Sequence, residues 1–387
     1  MTIHFLYSAL RRLMLLFGAW AFVSLGVGFA TAADDASPIG SVRVDEPITI
    51  EESQGDTWVT AWAKDGNLYS PSDDTFGFRK AGNANIAFNR LEGDDMRKLH
   101  GMSVNMMADY GKSAELGPDG CSWKSSGCYA VDGVLYWVVA RHKYGETSGD
   151  PKMRQTAENA SILKSTDGGK TWTRPVKENY EHPTFPGRRF AAPYFIEYGR
   201  DGEAAVDNAD HYVYALSNNG FWDNGDHLIL GRVARSKLAA LHGSDWEFYR
   251  GGDGLNDAAW IADRDRAKLV LDAQGKLGMN GAVFIPALNR YLLIGWYYPA
   301  GGGKLKGASV ETIWDFYESP KPWGPWTKIE SKEYRPQGYY SPQICPKFTS
   351  RDGGHLFAVT AGDWTNSRVY HLTIVPIHID RRQTAWP

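Results

Sequence analysis

One short pattern recurs along this chain and constrains its fold more than any other feature. Two apolar-rich arms flank a turn, and the unit returns five times at intervals of about 60 to 90 residues. The first copy spans residues 56–74, "DTWVTAWAKDGNLYSPSDD". Its arms are residues 58–63 and 68–72, with Asp65, Gly66 and Asn67 as the turn, a strong hairpin signal. "DGNLY" is echoed by "DGVLY" at 132–136, between arms at 127–131 and 135–140. Further copies lie at 190–216, 281–296 and 341–364. A period this long in a strand-rich sequence predicts the blades of a β-propeller. The expectation is all-β with five blades, six being the alternative.

Between these hairpins lie more polar ones, suited to outer strands. They occupy residues 162–175, 229–249 and 314–329, with a helical turn expected at 236–241. Residues 85–93 and 102–107 would complete blade one. Blade five, with only residues 368–377 after its hairpin, is one strand short. Residues 42–51, "VRVDEPITIE", alternate like a strand and would close the ring, covering an otherwise open sheet edge.

The N-terminus reads as a leader. Arg11 and Arg12 precede an apolar run at 13–29, and Ala30, Thr31 and Ala32 have the small-x-small form of a cleavage site. The alternative, an uncleaved anchor, requires an apolar span longer than this Gly-broken run. The expected organisation is a signal peptide at 1–32, an N-terminal segment at 33–52, one propeller at 53–380 and a tail at 381–387. The chain would then be exported, periplasmic or extracellular, and would work as a monomer. Losing the leader removes two arginines and no acids, so the formal charge moves from −3 to −5. That balance, with no basic block, excludes nucleic acid as a partner, and no later stretch is apolar enough for a membrane.

Cys121 and Cys128 are candidates for a short disulfide loop, and Cys345 for a buried thiol. No Cys/His spacing suits zinc, and no cofactor is required. Residues 207–211 ("DNADH") and 223–226 ("DNGD") hold enough oxygen for a structural Ca²⁺ but follow no recognised loop pattern.

Two resemblances bear on function. Ser165, Asp167, Gly169, Thr171 and Trp172 in "STDGGKTW" resemble the Asp-box of sialidase-type propellers, a structural turn in which Asp167 bonds its own loop. The Arg-Ile-Pro signature of sialidases is absent. "DTWVTAWAKDGNLYSPSDDT", the "DGVLY" blade, that turn and "ESPKPWGPWT" together resemble a family of secreted bacterial propellers, long catalogued as a domain of unknown function. Some members are linked to endo-D-arabinanases. The resemblance spans about residues 50–375; it implies five blades and glycoside hydrolase activity, without implying D-arabinan as substrate.

In a propeller the inner strands begin, and the second strands end, at one axial face. That rule nominates a mouth lined by Asp56, Asp73, Asp74, Ser126, Arg141, His142, Arg189, Asn218, Asn219, Trp222, Asn280, Tyr297, Tyr298, Tyr339, Tyr340, Asp363 and Trp364. Carboxylates, amides and aromatic rings together suit a carbohydrate. Asp56 with Asp74 or Asp73 are the candidate acid and base of a glycoside hydrolase. Two other readings remain: a non-catalytic carbohydrate-binding propeller, and a polysaccharide lyase with His142 as base and Arg141 or Arg189 neutralising an acidic sugar.

Overall fold

The computed structural model describes residues 37–206, 209, 211–301 and 310–382. The expected leader, residues 207, 208 and 210 of the first candidate Ca²⁺ segment, and the last five residues lie outside the described residues.

Five antiparallel sheets follow one another along the chain as five blades. Blade one pairs Ala61–Trp62, Leu68–Thr75, Ala84–Glu92 and His100–Asn105. Blade two pairs Ser122–Val131, Val134–Lys143, Thr156–Ser165 and Phe185–Pro186. Blade three runs from Tyr194–Phe195 through Tyr212–Asn218 and His227–Ala234 to Trp246–Tyr249 and Trp260–Ile261, and Leu269–Asp272 adds to His227–Ala234. A short helix, Arg235–Leu238, sits in its outer connection. Blade four pairs Ala282–Ile285, Arg290–Tyr297, Thr312–Ser319 and Thr327–Tyr334.

Blade five joins the two ends of the described chain. Tyr339–Cys345, His355–Gly362 and Leu372–Arg381 are completed by Ile39–Val44, with Val42 opposite Ile379 and Val44 opposite Ile377. Ile48–Thr49 adds to the same strand further along. An outer strand from one end of the chain on inner strands from the other leaves no open edge between first and last blades.

The blades pack face to face, so their strands, innermost ones included, are buried on both sides. Ser122–Val131 is buried along its whole length. Between blades one and two, Phe88, Trp137 and Trp172 meet with ring centroids 4.6 to 5.4 Å apart. The Ser165-to-Trp172 turn holds that cluster. Asp167 accepts from the Thr171 N–H (3.0 Å) and hydroxyl (2.6 Å), and the Trp172 indole donates to the Gly169 carbonyl. Gly169 has φ +86°, and a Cβ there would run into the Phe88 ring, so both backbone and space demand glycine.

Two expectations are corrected. The first arm of the opening hairpin is laddered at Ala61–Trp62 and again at an isolated Asp56–Asp73 bridge, not along 58–63. Between them, the Thr60 N–H is taken by the Gln343 side chain of blade five at 2.7 Å, so the inner strand pairs partly with a neighbouring blade. Cys121 and Cys128 are free, buried thiols. Cys128 lies in the extended strand that Cys121 immediately precedes, which separates them by roughly 20 Å at ~3.3 Å per residue, far beyond disulfide reach. Cys345 is also a buried free thiol.

Candidate active site

Two carboxylates stand at the axial mouth because the Asp56–Asp73 bridge brings residues from either end of the opening hairpin together. The backbones of Asp56 and Asp73 exchange hydrogen bonds of 3.0 and 2.8 Å. Asp73 then turns inward. It is fully buried, and its carboxylate is spent on the N–H (2.8 Å) and hydroxyl of Ser125 in blade two. Asp74 turns outward because its backbone is left-handed, φ +40°.

Three of the strained backbone positions found along the chain lie at this point. Thr57 (φ +54°), Asp74 (φ +40°) and Ser341 (φ +50°) are non-glycine residues in the left-handed region. They adjoin or include Asp56, Asp74 and Tyr340. Such residues cost roughly 1–3 kcal/mol each and concentrate where geometry serves function. A β-branched threonine there is especially unusual.

The mouth is a cavity of about 620 Å³, lined by Asp56, Asp74, Lys124, Tyr144, Glu146, Gln155, Trp222, Trp296, Tyr298, Tyr340, Trp364 and Tyr370 among others. Phe76, Leu116 and Trp364 form an exposed apolar rim, at 42, 48 and 43 % exposure. Each blade contributes at least one of these residues, or a loop next to one of its strands. The connection between blades one and two brings Ser113, Ala114 and Leu116. It is tied down by the Asn85 amide, which donates to the carbonyls of Tyr110 and Glu115 at 3.0 Å.

The two pocket carboxylates have unlike environments. Asp56 is half-buried and accepts from the Tyr340 hydroxyl (2.6 Å) and the Thr57 hydroxyl (3.1 Å). Burial pushes its pKa up and the Asp74 charge adds to this; Lys124 and the hydroxyls oppose the rise without cancelling it. Asp74 is the reverse. Burial, the largest single influence, pushes it up too, but the Lys124 ammonium, the Ala114 N–H (2.8 Å) and the Tyr144 hydroxyl (3.1 Å) together outweigh burial and hold it below the usual carboxylate range. The Ser113 hydroxyl also reaches it, at 3.3 Å. Asp73, beneath them, is raised well above the ordinary range by burial, with the Asp56 charge adding. Two carboxylates whose surroundings push their pKa values apart are the arrangement from which acid and base roles can be drawn.

Six of the residues nominated from sequence line the pocket: Asp56, Asp74, Trp222, Tyr298, Tyr340 and Trp364. The others stand elsewhere, each for a local reason. Arg141 is bound to Asp119 (2.9 Å) and clasped by the Trp123 and Tyr180 rings at 4.2 and 4.5 Å, on the far side of its strand. His142 is fully buried behind the wall. Its Nε2–H donates to Gln155 at 2.8 Å, and its edge supports Tyr144 and Trp222. Arg189 donates to the carbonyls of Arg264 and Ala267. Asn218 closes a loop through the carbonyls of Phe221 and Leu277, and Asn219 bonds Asp226. Asn280 is buried away from the cavity. Of the two neighbouring tyrosines of blade four only Tyr298 lines the pocket; Tyr297 and Tyr339 do not, and Ser126 is fully buried. Asp363 caps its own loop through Thr365. In the second candidate Ca²⁺ segment, the Asp226 oxygens are committed to Arg154 and Asn219, and Asp223 accepts from the Gln155 N–H. Among the described residues no group of three or more His, Cys, Asp or Glu has the arrangement of a metal site.

Lys124, Tyr144, Glu146, Gln155, Trp296 and Tyr370 were not nominated from sequence. Lys124 left a legible signal: it is the one charged residue in an inner strand that otherwise reads as buried, "SWKSSGCYAV". It is also the one cation among the described lining residues. The arginines that a lyase or a sialidase would direct at an acidic sugar do not face this cavity.

No protein-family model matches the chain, and no curated protein does. Solved structures similar to it include a putative hydrolase from Bacteroides ovatus, 16 % identical over 84 % of this chain and 85 % of that one, at a TM-score of 0.47. A protein of unknown function from Dyadobacter fermentans is 14 % identical over 88 % of this chain and all of that one (100 %), at 0.46. A xylan β-1,4-xylosidase from Bacillus halodurans is 9 % identical over 86 % of this chain and 54 % of that one, at 0.47. These likenesses are remote, and no chemistry is inferred from them.

Proposed function

We propose that this chain is an exported glycoside hydrolase that cleaves a polysaccharide or oligosaccharide at the axial mouth of its propeller. One observation carries the reading: Asp56 and Asp74 share one aromatic-lined cavity and their surroundings push their pKa values in opposite directions, Asp56 up and Asp74 down. Asp56, protonated, is the general acid that gives its proton to the departing glycosidic oxygen. Asp74, ionised, faces the positive charge that develops at the anomeric carbon and acts as base or nucleophile. Trp364 on the rim offers an apolar face to a sugar ring, and Trp222, Trp296 and Tyr298 form the largely buried wall behind it. Asp73, tied to Ser125, holds the hairpin end and stays outside the chemistry.

A carbohydrate-binding propeller without catalysis is the second reading. One feature favours it: the Asp74 oxygens already accept from Ser113, Ala114, Tyr144 and Lys124, which fills the roughly four acceptor sites of a carboxylate.

The test is a panel of furanose and pyranose polysaccharides, D-arabinan included because of the family resemblance, offered to the protein without its leader. Hydrolysis that falls by ~10²–10⁴-fold in both Asp56→Asn and Asp74→Asn is expected. Hydrolysis that survives both substitutions sinks the assignment. Binding without cleavage by the unaltered protein selects the second reading.

A further inference from the structure

Lys124 occupies a position where an apolar residue would be expected. Its side chain is 4 % exposed, in a strand buried on both faces. A buried ammonium is costly unless it is paired. Here it meets a surplus of acid. Asp74 is its ion-pair partner, and Asp56 and Asp73 lie close enough to act on it. The Tyr144 ring centroid is 5.7 Å from its nitrogen. Around this cluster stand Tyr194 from blade three, Tyr298 from blade four, Tyr340 and Tyr370 from blade five, and Glu146 on the rim.

Three carboxylates and one cation in a low-dielectric wall cannot all be charged. Full ionisation would leave a net charge of two negatives with little water to screen it. One ammonium compensates one carboxylate, and the rest of the imbalance is met by protons. Asp73 faces inward onto Ser125, so the pocket-facing carboxylate left to carry a proton is Asp56.

We propose that Lys124 is the positioning residue that divides the roles of the two pocket carboxylates: by pairing with Asp74 it fixes the anion there and leaves the exchangeable proton on Asp56. Its consequence for turnover rests on the hydrolase reading; its electrostatic content does not.

The experiment is a carboxyl ¹³C NMR titration of Asp56 and Asp74 in the protein without its leader, assigned through Asp56→Asn and Asp74→Asn. The two groups interact, so the apparent values belong to the pair and are compared between variants. In Lys124→Met, Asp74 is expected to titrate ~1–3 units higher, as for loss of an adjacent opposite charge. Asp56 should also rise, because it too loses an attractive cation. Lys124→Arg keeps the charge and should leave both close to their original values. Should Lys124→Met not fold, Lys124→Met with Asp74→Asn removes both members of the pair, and Asp56 should then titrate higher than in Asp74→Asn alone. An Asp74 titration unmoved in Lys124→Met, or an Asp56 titration equal in the last two proteins, overturns the proposal. Where a glycan is turned over, the acid limb of its pH profile should move up in Lys124→Met and stay in place in Lys124→Arg. Titrations that move as expected in a protein that cleaves no glycan would refute the hydrolase reading and leave Lys124's role standing.

Discussion

Replacing Tyr340 with phenylalanine removes one hydroxyl from the floor of the pocket and almost nothing else. Tyr340 is 5 % exposed, and its ring packs on Trp296 at a centroid distance of 5.9 Å, a contact that phenylalanine retains. The lost group donates to Asp56 at 2.6 Å. Burial, and then the Asp56 charge, push the Tyr340 hydroxyl well above its ordinary pKa, so it remains a donor throughout the working range. A hydrogen bond to a charged group contributes about 1.5–3 kcal/mol, and one pKa unit corresponds to about 1.4 kcal/mol. The bond favours ionised Asp56. Its loss should therefore raise the Asp56 pKa further, by roughly 1–2 units. If Asp56 is the general acid, the alkaline limb of kcat/KM moves to higher pH by that amount, because the acid keeps its proton longer. The acid limb, set by Asp74, should stay where it is. The sign for stability follows. Asp56 binds more protons folded than unfolded, so its contribution declines as pH rises above the unfolded value, and the variant should decline more steeply. An alkaline limb that stays in place, or moves to lower pH, would refute the coupling between Tyr340 and the acid.

Three further outcomes are expected. Trp137→Ala empties the aromatic contact between blades one and two and should destabilise the protein by about 3–5 kcal/mol in denaturant titrations, with Phe88 and Trp172 left facing a cavity. Glu197 is 1 % exposed, neither carboxylate oxygen has a hydrogen-bond partner among the described residues, and burial raises its pKa well above the ordinary range. Its folded pKa exceeds the unfolded one, so it erodes stability as pH rises above ~4.3, and Glu197→Gln should flatten the fall in melting temperature between acid and neutral pH. Arg141→Met should lower melting temperature while leaving KM unchanged, because the guanidinium serves Asp119 and two rings outside the cavity; a raised KM with an unchanged melting temperature would contradict that placement.

The blade plan was legible because propeller repeats write themselves locally. Paired apolar arms, turn residues such as Asp65, Gly66 and Asn67, and an alternating N-terminal segment are each visible within a few residues. Asp56 and Asp74 could be nominated for the same reason: a hairpin returns its ends to one place whatever surrounds it. The remainder of the mouth was harder to read because strand alternation fails where strands exit. At Asp74 the backbone becomes left-handed, and between Ser125 and Cys128 the register shifts, so facing cannot be extrapolated along the chain. A shift of one residue exchanges wall for core. That is why Arg141 and His142, where the register shifts again, stand outside the cavity.

The sequence by itself determined a ring of hairpins and a pair of acids at one hairpin's open end, because both follow from contacts between near neighbours in the chain. Tertiary structure decided what those acids are. Burial raises the pKa of Asp56 against the opposing pull of a hydroxyl from blade five; a lysine from blade two and an amide from the loop that precedes that blade draw Asp74 down. Protonation depends on the charge and solvent within a few ångströms, and folding assembles that environment from segments as many as 284 residues apart.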